Sequence, residues 1–268
     1  MNEYWPEPEY SDKSRQQKKL DIRENPRRKK RRRRRRAFLF LLFLLAVGVG
    51  GYFFATSDAF IIKEIDVKGN SYYTKGQVVE LSEIKKGDNL WKTKMLDVRD
   101  KIRQDPYIAD VKIDRKPFHS VLITVTERQE ALVCEFADHF VVMDYDGYVL
   151  KLSDEAPELP VVCGLKIEKA KPGQALKVKN NHQLSDSISL LMEADKNDMY
   201  FFKLEVADLF VNAYIYDNLC CRGSFEHLTK SVAEIRTVFI DLRKNKIKRG
   251  TIIVSGAGSC TFSPEISK

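Results

Sequence analysis

The chain has 268 residues, 43% of them hydrophobic, and a formal charge of +8. That apolar content suffices for one large core or two small ones and excludes a disordered polymer. Fifteen of the Lys and Arg residues and six of the Asp and Glu residues fall in residues 1–36, leaving 31 basic and 32 acidic residues elsewhere, so the remainder is near neutral and has no footprint for nucleic acid.

The first feature in chain order is a run of ten cations, Arg27 to Arg36, directly before nineteen uncharged residues, Ala37 to Ala55 (AFLFLLFLLAVGVGGYFFA). As a helix this stretch is roughly 28 Å long, close to the thickness of a hydrocarbon core, about 30 Å. Cations beside a span stay on the cytoplasmic side. The expectation is therefore a cytoplasmic basic tail over 1–36, a transmembrane helix over 37–55, and a carboxyl-terminal region outside the cytoplasm from Thr56 onward. Ala55 and Ser57 would suit a signal-peptide cleavage site, but nineteen apolar residues exceed the usual signal core of about seven to fifteen. Next to the span, the basic run reads as a topology signal rather than a nuclear or nucleic-acid patch. Ala46 and Gly50 either form a small-residue face for another membrane helix or are ordinary membrane-helix residues.

Beyond the span the periodicity switches in a definite order. Ile61 to Lys68 ends in alternation, Ile65 and Val67 against Glu64, Asp66 and Lys68, which predicts a half-buried strand. Gly69 and Asn70 make a turn. Thr74 with Gln77 is a capping-box signature for a helix over Lys75 to Leu81. After Gly87 and Asp88, the stripe Met95, Val98 and Ile102 predicts a second helix that Pro106 cannot continue. Two strands follow, one with Val111 and Ile113, the other with Val121, Ile123 and Val125, joined through Lys116, Pro117 and Phe118. The order is strand, helix, helix, strand, strand.

Residues 131–264 read as a further unit. Ala131 to Phe136 and Phe140 to Leu150 are apolar strands with a turn at Asp144 to Gly147. Leu159 to Val162 is a short extended run, Leu184, Ile188, Leu191 and Met192 mark one face of a helix, and Lys203 to Tyr216 carries more strands. From Ser224 to Leu242, apolar residues Phe225, Leu228, Val232, Ile235, Phe239 and Leu242 recur at threes and fours, predicting one long helix with a buried face. The economical arrangement is a sheet with helices packed across it. Gly250 to Ser255 is an end strand, a position often found at a sheet edge, where unpaired backbone groups can accept a strand from another chain. The alternative is an interior strand.

Chemistry has little support in the pattern. DYDG at Asp144 to Gly147 begins like a calcium loop but lacks the later ligands and the bidentate Glu, so a hairpin turn is expected. His119, His139, His182 and His227 are scattered, without zinc-hydrolase spacing. No nucleophile elbow, phosphate loop or SxxK is present. Five cysteines, Cys134, Cys163, Cys220, Cys221 and Cys260, match no zinc set and read mainly as small buried hydrophobes, with one disulfide left open. No cofactor, metal or small-molecule substrate is expected.

The segment FIIKEIDVKGN just outside the span and DPYIADVKIDRKPFHSVLITVTER after the helices resemble the POTRA module of the bacterial cell-division family FtsQ, called DivIB in Gram-positive bacteria. LPVVCG, VNAYIYDNLCCRGSFEHLTKSVAEIRTVF, RGTIIVS and FSPE resemble that family's second, β domain. The resemblance implies an α+β protein with a βααββ POTRA domain over 60–128, a mixed β domain with packed helices over 129–265, and a short tail over 266–268. It further implies a non-enzymatic scaffold at the division septum whose last strand receives a segment of FtsB (DivIC in Gram-positive bacteria) in a complex with FtsL. On this chain that strand is carried over as Thr251, Ile252, Ile253, Val254 and Ser255, with Arg249 at its entrance. A membrane-anchored extracytoplasmic cell-wall enzyme is the alternative. A POTRA-type outer-membrane transport module is less suited, because no carboxyl-terminal barrel of many alternating strands is expected.

Overall fold

A computed structural model describes residues 26–117, 119–256 and 258–264, with side chains from residue 33 onward. Most of the expected basic tail (1–25), Phe118 in the strand junction, Ala257 in the Gly256 to Gly258 turn and the expected 266–268 tail lie outside the described residues.

Helix α1 runs Pro26–Ala55. It begins earlier than the apolar stretch because Arg and Lys are good helix formers and proline suits the first helical position. Within it Arg33–Ala55 is long and apolar enough to cross a bilayer once, and none of that segment is buried inside the protein. Phe38, Leu41, Leu45 and Phe53 are each more than 60% exposed, a surface that water does not tolerate and lipid does.

The first sheet follows. Strand β1 is Glu64–Lys68, α2 is Lys75–Ser82, α3 is Met95–Ile102, β2 is Ile108–Lys116 and β3 is Ser120–Glu127. The sheet order is β1-β3-β2, with β1 parallel and β2 antiparallel to β3. β1 starts three residues later than expected because Ile62 is drawn out of strand pairing, donating to the Asp88 carbonyl and accepting from Gly87 N–H. The capping box forms: Gln77 N–H reaches Thr74 Oγ1 and Thr74 N–H reaches Gln77 Oε1. Val78, Val98 and Ile102 bury against Val121, Ile123 and Val125 of the central strand. The Glu127 carboxylate at the end of β3 accepts N–H groups of Ser71, Tyr72 and Tyr73, fixing the β1–α2 turn.

The second sheet has nine strands: β4 Leu132–Phe136, β5 His139–Met143, β6 Val149–Ser153, β7 Val161–Cys163, β10 Lys203–Val206, β11 Val211–Tyr216, β12 Leu219–Gly223, β13 Gly250–Gly256 and β14 Ser259–Ser263. A separate pair, β8 Ile167–Lys169 and β9 Lys177–Val178, flanks it. The order is β14-β13-β12-β11-β10-β7-β4-β5-β6. Helices α4 Asn181–Lys196, α5 Phe225–Lys230 and α6 Val232–Lys244 cover one face, and one continuous core lies between.

Two helical expectations are corrected. The long helix over Ser224 to Leu242 is broken at Ser231, which is fully buried and aims its hydroxyl at the β13–β14 turn, accepting from Gly258 N–H at 2.9 Å. The apolar spacing survives the break, since Leu228, Val232, Ile235 and Leu242 are all buried. On α4, Met192 is largely exposed while Leu190 and Ala194 are buried. Eight residues beyond Leu184 is about 80° round a helix, enough to leave the stripe.

The two sheets meet at Arg128 and Asp144. Arg128 Nη1 lies 2.6 Å from Asp144 Oδ2, both side chains being mostly buried, and its guanidinium stacks 4.1 Å over the Tyr148 ring. Asp144 also accepts N–H groups of Asp146 and Tyr148, so DYDG is the hairpin turn between β5 and β6. Beside it Glu130 accepts from Lys151 and from the Tyr107 hydroxyl, each at 2.6 Å. Tyr107 in turn stacks on Tyr72 at 4.2 Å. Desolvation opposes the charged Glu130, but the Lys151 and Tyr107 hydrogen bonds outweigh it and hold its carboxyl below the usual glutamate value.

Asp144→Ala leaves the buried Arg128 guanidinium with only the exposed Asp146 carboxylate, 3.3 Å from Nη1, as an ion-pair partner and should lower stability by about 3 kcal/mol, read as a shift in the urea midpoint. Glu130 has a depressed folded-state pKa, so its stabilisation is present above the unfolded glutamate value and is lost as pH falls through the folded one. Glu130→Gln should therefore melt below wild type at neutral pH, and the two melting temperatures should converge in acid.

Candidate protein-interaction edge

The strand carried over as a docking edge, Thr251 to Ser255, is interior. β13 pairs in parallel with β12 through Cys220↔Thr251 and Arg222↔Ile253, and antiparallel with β14 through Ile253↔Thr261 and Ile252↔Phe262. The expectation of a free edge there is corrected, because a further short strand, SCTFS, follows and takes up its outer side. The edge moves one strand outward to β14, whose outer side pairs with no strand among the described residues.

Three observations separate β14 from the other edges. The edges of the first sheet are heavily charged, β1 with Glu64, Asp66 and Lys68 and β2 with Asp110, Lys112, Asp114, Arg115 and Lys116, a common way to prevent edge pairing. At the far end of the large sheet, the start of β6 is covered: Val149 N–H donates to the Gln174 carbonyl and Val149 accepts from Gly173 N–H. β14 carries no charge at all and has no such cover among the described residues.

The hairpin is held from behind. Ile252, Val254, Cys260 and Phe262 face the helices, and Ser231 fastens the turn. Gly250, at φ +132°, leaves room for Phe262: a Cβ there would lie 2.6 Å from that ring. Arg249 is exposed before β13, at the end of a basic turn with Arg243, Lys244, Lys246 and Lys248, all exposed.

The opposite face of this half of the sheet bears no helix among the described residues. Register places Glu205, Asn212, Arg222, Ile253 and Thr261 in one row, and Lys203, Tyr214, Cys220, Thr251 and Ser263 in the next. Ile253 is 43% exposed here. Glu205 binds Lys203 and the Tyr214 hydroxyl, each at 2.7 Å; the Lys203 bond, then the Tyr214 bond, lowers the Glu205 pKa. The same hydrogen bond pushes Tyr214 up to about 12. Arg222 stacks 3.9 Å over Phe210. The face is thus a set of fixed polar and aromatic groups bordered by an open backbone edge.

Reactive groups are committed elsewhere. Burial pushes the Cys134 thiol up to about 12 and raises that of Cys221, which suits thiols used for packing. No disulfide joins the described cysteines. No cluster of three metal-binding side chains occurs among the described residues; His119 faces the Ile61 carbonyl and His139 faces Asp154. A cleft of about 660 Å³ at the joint of the two sheets is lined by Tyr72 and by Glu127 to Glu130, where Glu127 and Glu130 already hold the structural bonds described above.

Residues 60–128 match the FtsQ-type POTRA domain. The chain is 26% identical to the cell division protein DivIB of Clostridium botulinum strain Hall over 208 residues, 76% of this chain and 81% of that one. It is 25% identical to the cell division protein FtsQ of Caulobacter vibrioides strain NA1000 over 142 residues, 52% of this chain and 47% of that one. The solved major extracytoplasmic domain of DivIB from Geobacillus stearothermophilus aligns over 45% of this chain and 98% of its own length, with 14% identity and a TM-score of 0.33. Residues 60–128 thus form an FtsQ-type POTRA module behind one membrane-length helix, and the similarity to cell-division proteins named DivIB and FtsQ runs on into the second sheet.

Proposed function

We propose that this protein is a non-enzymatic scaffold of the septal cell-wall machinery, with its amino terminus in the cytoplasm and both sheets on the outer side of the membrane. It recruits an FtsB/DivIC-like partner, itself joined to an FtsL-like protein, by strand addition to the outer edge of β14. The observation that carries this reading is the uncharged, unpaired backbone of β14 beside a helix-free sheet face. Main-chain hydrogen bonds supply the generic part of recognition, and side chains alternating along the added strand supply the specific part. The residues first assigned to docking keep a place next to the edge rather than on it. Thr251, Ile253 and Ser255 form the adjoining strip of the open face, Arg249 stands before that strip, and Ile252 and Val254 support β14 from the core side.

Successive residues of β14 direct their N–H groups alternately toward β13 and outward. Proline at Cys260 and proline at Thr261 therefore test both alternatives, one deleting an outward donor and the other a ladder bond. The variant that keeps the wild-type melt should lose binding to a DivIC-like partner in a pull-down, whereas Thr261→Ala should retain it. A folded proline variant of each kind with wild-type affinity would place the docking site elsewhere.

The orientation rests on the ten cations before the span. A periplasm- or exterior-dependent reporter fused after Lys268 should be active, and a cytoplasm-dependent one silent. The reverse pattern would overturn the topology.

A further inference from the structure

The end of the membrane helix is built into the first sheet's periphery. Asn89 Nδ2 donates to the Ala55 and Ser57 carbonyls at 3.2 and 3.3 Å, satisfying acceptors that the helix end leaves open. An aromatic chain runs alongside: Phe54 meets Phe60 edge-on at 5.3 Å, and Phe60 meets Trp91 at 6.3 Å. Tyr52, Phe53 and Phe54 sit where a span of this length leaves the hydrocarbon, in the belt that aromatic rings favour. Trp91 is thus two ring contacts from that belt. It is nevertheless 56% exposed, and Leu96 nearby in sequence is 66% exposed. In a water-soluble domain two such side chains are unexplained; beside a bilayer they have an apolar partner.

The charges around them fit the same partner. Lys85, Lys86, Lys92 and Lys94 are all exposed. Over 85–94 the single acid is Asp88, whose carboxylate accepts the Lys85 N–H; of the flanking acids, Glu83 is paired with Lys101 and Asp97 lies 3.9 Å from Lys94. Arg115 stacks on the Trp91 ring at 5.4 Å and holds the Leu90 and Thr93 carbonyls, so the loop that presents Trp91 is braced from the sheet. A braced loop that displays tryptophan among lysines, followed by the first turn of α3 that displays Leu96, next to the exit point of a span, matches an anionic bilayer surface.

We infer that the 85–96 segment is a membrane-docking surface, with Trp91 and Leu96 seated in the headgroup layer of the leaflet that α1 leaves and the four lysines on its phosphates. The first sheet then rests on the bilayer instead of swinging from a flexible stalk. This rests on the reading of Arg33–Ala55 as a membrane span.

The sequence holds two tryptophans, so W5F leaves Trp91 as the only one in the full chain. That variant is reconstituted into phosphatidylcholine vesicles with or without phosphatidylglycerol, and flotation with resistance to carbonate extraction establishes insertion. Lipids brominated near the headgroup should remove most of the Trp91 emission, and lipids brominated deep in the chains should remove much less. Changing the four lysines to Gln should reduce this quenching in phosphatidylglycerol vesicles and leave it unchanged in phosphatidylcholine alone. An inserted chain whose emission is the same in brominated and unbrominated vesicles overturns the docking surface while leaving the span intact. A chain that floats but is stripped by carbonate overturns the span, and the docking surface with it.

Discussion

Everything beyond the first sheet takes its position from Arg128. It is the residue immediately after β3, its N–H donates to the Tyr107 carbonyl at the start of β2, and its guanidinium is buried against Asp144 and Tyr148 of the second sheet. Its backbone is thus tied to the first sheet and its side chain to the second. A buried ion pair adds little stability compared with apolar packing of the same volume, but breaking one is severe. Its contribution here is geometric: with Glu130 bonded to both Lys151 and Tyr107 beside it, the pair ties the start of the second sheet to the end of the first. A scaffold needs that property more than an enzyme does, because partner sites on separate modules must keep a fixed spacing.

The second constraint is the one-sidedness of the large sheet. α4, α5 and α6 cover one face, so apolar residues alternate into the core along β10, β11, β12 and β13 while polar and aromatic residues alternate out. Such a sheet can be extended at an end without rearranging its core, provided the last strand is held in register. Ser231 supplies that hold by giving its hydroxyl to the turn between β13 and β14. The interruption between α5 and α6 thus has a purpose in the hairpin rather than in the helix.

How far the sequence revealed this follows from the range of each interaction. Thr74 and Gln77 could be read because a capping box is closed within three residues, and Met95, Val98 and Ile102 because their spacing is local. Ser231 could not, since a serine in a helical run says nothing about a turn 25 residues later. Nor could the true edge: Ser259, Cys260, Thr261, Phe262 and Ser263 are mostly small and polar and follow a glycine-rich turn, so they resemble loop as much as strand. The strand before them, rich in Ile and Val, drew the assignment instead. Those β-branched residues mark a strand paired on both sides, with Ile252 and Val254 buried on one face and Ile253 exposed on the other, which is what their composition should have suggested.

The membrane anchor and the β14 edge are linked by energetics as well as by sequence. A five-residue edge presents outward backbone groups at only two or three positions, and each hydrogen bond nets about 0.5–1.5 kcal/mol after exchange with water. The sum is a few kcal/mol, whereas even micromolar association requires about 8 kcal/mol. The adjoining face, with Ile253 and Arg222, adds contact area without closing that gap, since edge and face remain largely solvated until a partner arrives. A partner anchored in the same membrane meets the edge at a raised effective concentration, which strengthens association by a factor of about 10² to 10⁴ without any new contact. That gain depends on the edge being held within the partner's reach. Asn89 at the helix end and Arg128 beside the second sheet brace the chain on either side of the first sheet, so on the proposed reading the weak edge becomes an effective site only as part of the whole anchored chain.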